Sequence, residues 1–508
     1  MPLYIWQTVR YNIGQYRTIA PKRFGGSFPP ILRFEKFEIH KVFPHFSNLD
    51  LTKNLSPNLL AELCGVALET GMDGRTMKFA FYTLGCKVNQ YETQAMEQML
   101  LAAGHTLGSF DEICDGYIIN TCTVTAASDK KSRNAIRRVR KLNPDAAVGV
   151  CGCYAQSAPD EVRKLDVDVL AGTADRAEFI RAMQQAAQDR SARWERVEDA
   201  GQAREFELLP AGGLAARTRA LLKVEDGCNN FCTYCIIPYA RGRVRSLPLD
   251  AAVAQTRQLA AAGYREIVVN GIEISSWGAE WKDGSTLSDL LAAICAAAPG
   301  VRIRLGSLEP RTVTEEFCRA LAGYPNLCPQ FHLSLQSGSD TVLRRMHRKY
   351  DTARYAESVR LLHEYFPGCA ITTDLIVGFP GETEQEFAES LDFVARCGIS
   401  MFHIFPYSRR SGTPAAKMPD QLPRSVKEAR AARAAQVAAS LEEGYHEAMR
   451  GSVQQVLFEQ IEDGLWAGHA MNYVKVYLQS GGDLHNRVLP VRVTDLCRDG
   501  VLGELASE

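Results

Sequence analysis

Two observations predict an α/β fold class for most of this chain. Short apolar runs alternate with amphipathic stretches from Met77 to about Phe405, and each run is apolar through its length, as strands buried on both faces are. A third observation, short alternating runs separated by turns rich in Gly and Asp near the carboxyl end, predicts a small closed β-barrel. The expected architecture is therefore an amino-terminal parallel α/β domain, a central partial (β/α) barrel and a carboxy-terminal small β-barrel.

The elements follow in order. A chain of 508 residues has room for about three domains. Residues 1–76 form an extension of doubtful status: RFGGSFPPILRFEKF is rich in aromatics, Pro and Gly, and no acidic residue precedes Glu35. That composition favours a start codon placed too far upstream over a targeting or RNA-contacting arm. Residues 77–190 alternate strands and helices. Residues 191–217 are polar and read as a linker. In residues 218–440, strands are expected at Leu221–Val224, Glu266–Asn270, Val301–Leu305, Gln330–Leu335, Ala370–Val377 and Ser400–Phe405, followed by a long helical run from about Arg424. Residues 441–508 carry the runs VQQVLFEQ, LWAGHA, YVKVYL and LPVRVTDL of the final barrel.

Cysteine placement carries the chemistry. Cys228, Cys232 and Cys235 stand in CNNFCTYC, and three thiolates on one loop suit three irons of a 4Fe-4S cluster, leaving one iron open to a chelating cofactor. A structural zinc site is the competing reading, but no fourth Cys or His follows nearby. A second, dispersed set comprises Cys86, Cys122 and Cys153, each after a short apolar run and so at a strand tip, where α/β sheets gather their ligands. Cys151 lies two residues before Cys153 and shares its face by strand alternation. Fifteen cysteines in all, an odd number without disulfide spacing, and no run able to span a bilayer predict a reducing compartment, the cytoplasm, and no membrane partner.

Net charge is −1, from 58 basic and 59 acidic residues, so any nucleic-acid contact must come from local patches. Candidates are the basic run from Lys130 to Lys141, the group Arg241, Arg243 and Arg245, and the group Arg344, Arg345, His347, Arg348 and Lys349. Trp466, Tyr473 and Tyr477 are candidates for base stacking.

The segments VEDGCNNFCTYCIIPYARGRVRS, TLGCKVNQYET, NTCTVT and GCYAQ resemble the radical S-adenosylmethionine (SAM) methylthiotransferases, from Met77 to about the end of the chain. Together with GLWAGHAMNYVKVY, their wording is most similar to the branch acting on threonylcarbamoyladenosine beside the tRNA anticodon. The resemblance implies a radical SAM barrel, an OB-like TRAM barrel that binds RNA, two 4Fe-4S clusters, SAM as cofactor, tRNA as substrate, and an external electron donor such as flavodoxin or ferredoxin. It implies Cys228, Cys232 and Cys235 as ligands of the SAM-binding cluster, and Cys86, Cys122 and Cys153, in preference to Cys151, as ligands of an auxiliary cluster. Tyr234 matches an aromatic near adenine, and Asn270 and Gly271 match the segment near the methionyl amino group. Ser307, Glu309, Gln336 and Asp374 lie at or near later strand ends, where a cofactor would need polar groups. By the resemblance one SAM methylates sulfur at the auxiliary cluster, and a second yields a radical that takes hydrogen from carbon 2 of adenine. Other functions the residues admit are methylthiolation of isopentenyladenosine or of a ribosomal-protein aspartate, and a non-catalytic iron-sulfur RNA-binding redox protein.

Overall fold

A computed structural model of the chain describes residues 75–212 and 218–506. The expectation about residues 1–76 lies outside the described residues except at its last two positions.

The first sheet is parallel throughout and runs in the order β2-β1-β3-β4-β5-β6. Its strands are β1 (Lys78–Thr83), β2 (Thr106–Gly108), β3 (Gly116–Thr121), β4 (Ala147–Gly152), β5 (Val169–Ala171) and β6 (Trp194–Arg196). Helices α1 (Lys87–Ala102), α2 (Ala126–Leu142), α3 (Cys153–Ser157), α4 (Pro159–Arg163) and α5 (Arg176–Gln188) connect them. β3 and β4 are buried at every position, as helices on both faces require. The strand order reverses between β1 and β3, so the crevice at their carboxyl ends is the ligand position of this topology. The presumed linker is more ordered than its polarity suggested. It supplies β6, and its Leu209 and Ala211 are buried in the core of the next domain.

That domain begins with β7 (Arg219–Lys223), β8 (Glu225–Asp226), α6 (Ile237–Ala240), β9 (Arg245–Ser246), α7 (Leu249–Ala261), β10 (Glu266–Asn270) and α8 (Leu287–Ala297). It continues through β11 (Arg302–Leu305), β12 (Ser307–Leu308), α9 (Glu315–Leu321), β13 (Gln330–Leu333), α10 (Asp340–Arg345), α11 (Thr352–Tyr365), β14 (Ala370–Val377), α12 (Glu384–Arg396), β15 (Met401–Pro406) and α13 (Arg424–Ala448). The third strand breaks at Gly306: β11 pairs with β10, whereas β12 pairs with β13. This break joins the sheets β11-β10-β7 and β12-β13-β14-β15 into one open, all-parallel barrel wall.

The final barrel is closed in the order β16-β17-β18-β20-β19, built from β16 (Val453–Glu462), β17 (Leu465–Ala470), β18 (Lys475–Leu478), β19 (Val488–Cys497) and β20 (Gly500–Leu505). β20 is absent from the sequence reading; it follows the Arg498-Asp499 turn, with Arg498 in the left-handed region. Trp466 is buried in the barrel core, which is small enough to need large side chains. Tyr477 lies on the opposite face of β18 from Val476 and Leu478, covered by Lys475 and Arg498, with its hydroxyl on Asp499. Tyr473 stacks on His469 and lies 4.7 Å from the Arg304 guanidinium, yet it stays exposed, unlike Trp466 and Tyr477.

Arginines join this barrel to the preceding domain. Arg302 donates to the carbonyls of His469 and Ala470, and Arg304 to that of Met471. Glu266 neutralises both, at 2.8 and 2.7 Å. Burial opposes charge on Glu266, but the guanidinium groups outweigh it and hold its carboxyl at about 2, against an ordinary 4.5. That depression is worth about 3 kcal/mol of stability, present above pH 4.5 and lost as pH falls toward 2. In urea denaturation, Glu266→Gln is expected to be less stable than wild type by about this amount at pH 7, with the gap narrowing below pH 4.5. A gap independent of pH would contradict this assignment.

Candidate functional site

The auxiliary cysteines converge as their strand tips suggested. Cys86 caps α1 and is exposed, while Cys122 and Cys153 are buried after β3 and β4. Gly85 has φ +110, and a Cβ there would come within 2.9 Å of the Cys122 Cβ, so only glycine lets the turn after β1 close on Cys122. Burial pushes all three thiols up, and the three act on one another electrostatically: Cys122 on Cys86, Cys153 on Cys122, and Cys86 on Cys153. The guanidinium of Arg241 opposes that shift at each, and its Nε stands 3.4 Å from the Cys153 Sγ. Cys151 instead lies fully buried in the apolar core with Met96, Phe179 and Met183.

Arg241 belongs to a buried ionic network that spans two domains. From the first domain come Glu92 and Asn89 of α1 and Arg176 of α5; from the barrel come Arg241, Lys223 and Asp226. Arg241 contacts Glu92 and Asp226 through Nη1 and reaches Asn89 Oδ1 at 2.6 Å through Nη2. Arg176 pairs with Glu92 at 2.9 Å, and Lys223 lies 2.6 Å from Asp226 and 3.2 Å from Glu92. Burial disfavours the Glu92 charge, yet Arg241, Arg176 and Lys223 together hold its carboxyl well below the usual range. Arg245, 3.6 Å from Asp226, adds a further cation. The surplus of positive charge beside Cys86 and Cys153 suits a group bound through thiolates.

The cysteine loop leaves β8, whose pairing with β9 closes the base of the loop. A Cβ at Gly227, where φ is +87, would meet the Arg243 carbonyl oxygen at 2.0 Å. Phe231 also adopts positive φ, 49°, held by edge contact with Tyr239 and by the Arg243 guanidinium 4.6 Å from its ring. Burial raises the thiols of Cys228 and Cys235, the latter to about 12. Arg348 Nη1 lies 3.1 Å from the Cys232 Sγ. Among the described residues no three Cys, His, Asp or Glu side chains close around a single metal ion. Three cysteines on one loop fall one ligand short of a structural zinc site and match the protein ligands of a 4Fe-4S group with one open iron.

A cavity of about 250 Å³ lies at the junction of the first domain and the barrel, beside Cys235. Tyr234, Cys235, Gln336 and Asp374 line it from the barrel, and Val124 and Thr125, just beyond Cys122, from the first domain. Gln336 is held at φ 70 by backbone hydrogen bonds to Asp374 and Ile376, and Asp374 lies 3.3 Å from the His332 ring. Across the domain junction, Arg410 pairs with Asp129 at 2.6 Å and reaches Thr123 at 2.5 Å, a second clamp beside Cys122.

Asn270, Gly271, Ser307 and Glu309 are not on this cavity. Asn270 and Glu225 each bury an oxygen with no hydrogen-bond partner, and a Cβ on Gly271 would come within 2.8 Å of Glu225. These unsatisfied acceptors, on the Cys228 side, suit an ammonium-bearing ligand such as SAM. Ser307 is exposed, and Glu309 is turned to Arg311 at 3.0 Å.

The basic groups divide. Arg241 and Arg245 are buried in the network, Arg348 is turned to Cys232, and Arg345 pairs with Glu386 at 2.8 Å. They therefore offer nothing to a polyanion, while Arg243, Arg344, His347 and Lys349 are exposed. On α2, Arg133, Arg138 and Arg140 are paired with carboxylates, and Lys130, Lys131, Arg137 and Lys141 are exposed. Sequence reading does not single out Glu92, Arg176 or Arg410 and assigns Arg348 to a polyanion, because sequence alone does not reveal what a charge faces after folding.

A cysteine loop after the first strand of an open parallel barrel, with a cavity at the strand ends, defines the radical SAM class of enzyme. The family model for the radical SAM superfamily matches residues 222–394, and that described as "Uncharacterized protein family UPF0004" matches residues 78–172. The threonylcarbamoyladenosine tRNA methylthiotransferase MtaB of Bacillus subtilis is 40% identical over 421 residues, covering 82% of this chain and 93% of that protein. The enzyme of the same name from Aquifex aeolicus is 39% identical, covering 70% and 86%. The tRNA-2-methylthio-N(6)-dimethylallyladenosine synthase of Syntrophomonas wolfei is 32% identical, covering 85% and 99%. Among solved structures, the radical SAM methyltransferase TsrM from Kitasatospora setae is similar at TM-score 0.48 and 16% identity, covering 66% of this chain and 75% of that one. The chain belongs to the radical SAM methylthiotransferase family.

Arg241→Met would leave Glu92 and Asp226 buried with fewer partners. It is expected to cost about 3–5 kcal/mol in urea denaturation. Arg241→Lys, which cannot reach Glu92, Asp226, Asn89 and Cys153 together, is expected to restore only part of this. Wild-type stability in Arg241→Met would show that the network is dispensable.

Proposed function

We propose that this chain methylthiolates carbon 2 of N6-threonylcarbamoyladenosine beside the anticodon of tRNA. The observation that carries the reading is the cavity of about 250 Å³ with Cys235 on its barrel wall and Val124 and Thr125, the residues just after Cys122, on the wall of the first domain. The choice of base is supported by relatives named for threonylcarbamoyladenosine at 40 and 39% identity, against 32% for one named for dimethylallyladenosine.

Cys228, Cys232 and Cys235 would hold the SAM-binding cluster, and Cys86, Cys122 and Cys153 the auxiliary one. When bound, these groups and SAM supply the electron, the hydrogen-abstracting radical and the methylated sulfur that an unactivated C–H requires. The chain's own part is placement. The buried oxygens of Asn270 and Glu225 that lack a partner would accept from the ammonium of SAM. Gln336 and Asp374 present polar groups to the cavity, and Ile376, Val124 and Phe405 give it apolar walls against which a base can pack. Arg241 and Arg410 fix the first domain against the barrel, setting the separation of the two cysteine sets.

The reading includes an external donor such as flavodoxin or ferredoxin, since the reaction consumes electrons. It also places the chain in the cytoplasm. Its described cysteines are free thiols, and among the described residues no helix is long and apolar enough to cross a membrane.

Nucleoside mass analysis of tRNA from a host lacking its own methylthiotransferase tests the reading. Wild type is expected to yield methylthio-threonylcarbamoyladenosine, and Cys228→Ala none. Cys86→Ala is expected to cleave SAM anaerobically yet leave the tRNA unmodified. Methylthio-isopentenyladenosine alone would reassign the substrate, and unchanged tRNA with both clusters assembled would turn the search to ribosomal-protein peptides.

A further inference from the structure

A second cavity, of about 350 Å³, opens where all three domains meet, at the amino-terminal end of β7. Its walls include Lys87 and Gln94 of α1, Arg219 of β7, Arg304 of β11, and Tyr473 and His485 of the final barrel. The carboxylates nearby are committed. Glu459 is shared by Arg219 at 2.9 Å and His469 at 2.8 Å, and Glu266 by Arg302 and Arg304. Lys87 has no carboxylate within ion-pair distance among the described residues, and it shares the cavity wall with Arg219 and Arg304. The cavity thus carries uncompensated positive charge. Two further features point to a ligand. The Gln94 side chain, 5% exposed, brings an Nε2 donor that has no acceptor. Tyr473 is held at φ 72, in the left-handed region that bulky residues disfavour, with its ring 4.7 Å from the Arg304 guanidinium.

We infer that this cavity binds a phosphodiester of the RNA substrate. Its volume is that of pockets enclosing a whole small molecule, as a nucleotide with its phosphate is. A backbone phosphate supplies the anion that Lys87 lacks and the acceptor that Gln94 lacks. The site is built by the OB-like barrel together with α1, the helix that begins directly after Cys86 and whose Asn89 and Glu92 enter the Arg241 network. RNA held here is therefore registered against the helix that carries one auxiliary cysteine. The inference rests on the tRNA reading.

The test uses the reconstituted full chain, an anticodon stem-loop RNA and, separately, inorganic phosphate, each variant being compared at wild-type iron content. Lys87→Ala is expected to weaken RNA binding about tenfold and to flatten the dependence of log affinity on log salt by about one. Lys87→Arg is expected to keep the wild-type slope, and Gln94→Leu to weaken binding without changing it. If Lys87→Ala loses inorganic phosphate but binds RNA as wild type does, the site serves free phosphate and the inference is overturned. It is equally overturned if Lys87→Ala changes neither. A wild type that binds no RNA overturns this inference and the tRNA reading together, whereas a wild type that binds and modifies RNA, matched by Lys87→Ala, overturns this inference alone.

Discussion

The position of Arg241 governs the rest of the molecule. Its fully buried guanidinium touches Glu92 and Asn89 of one domain, Asp226 of the next, and the sulfur of Cys153. A buried cation persists only where each of its donors meets an acceptor, so this one residue fixes two domains in a single relative placement. The partners lie close in sequence to the cysteines they serve. Glu92 is on the helix that Cys86 caps, Asp226 precedes Cys228, and Arg241 follows Cys235 on the same loop and helix. The segments that carry the two cysteine sets are thus the segments that lock the domains.

Topology places those segments face to face. Strand order reverses between β1 and β3, which opens a crevice at their carboxyl ends, and the barrel opens at its own carboxyl ends. Docking brings the two openings together over one cavity, with Cys235 on one wall and the residues after Cys122 on the other. Two clusters and a base must meet within this space for sulfur to reach an unactivated carbon.

Much of this was legible before folding. The spacing of Cys228, Cys232 and Cys235 is a local geometric statement, and uniformly apolar runs located all six barrel strands to within a few residues. The convergence of Cys86, Cys122 and Cys153 followed from strand-tip positions. The polar partners were not legible. Arg241 and Arg348 sit in basic runs that read as surface, and only tertiary packing shows that they face Glu92 and Cys232. The same blindness exposed Trp466 on paper when the small barrel needs it inside, left Tyr477 open where Lys475 and Arg498 cover it, and made a linker of a segment that supplies β6.

The central claim is that two separate cysteine sets each hold a 4Fe-4S cluster and face one another. Iron and sulfide analysis with Mössbauer spectroscopy on the anaerobically reconstituted chain tests it most directly. The comparison is with one variant lacking Cys86, Cys122 and Cys153 and another lacking Cys228, Cys232 and Cys235. The expected result is two cubane clusters in the wild type and one in either triple-alanine variant. A single cluster in the wild type, or loss of all iron when only the upstream set is removed, would contradict the account.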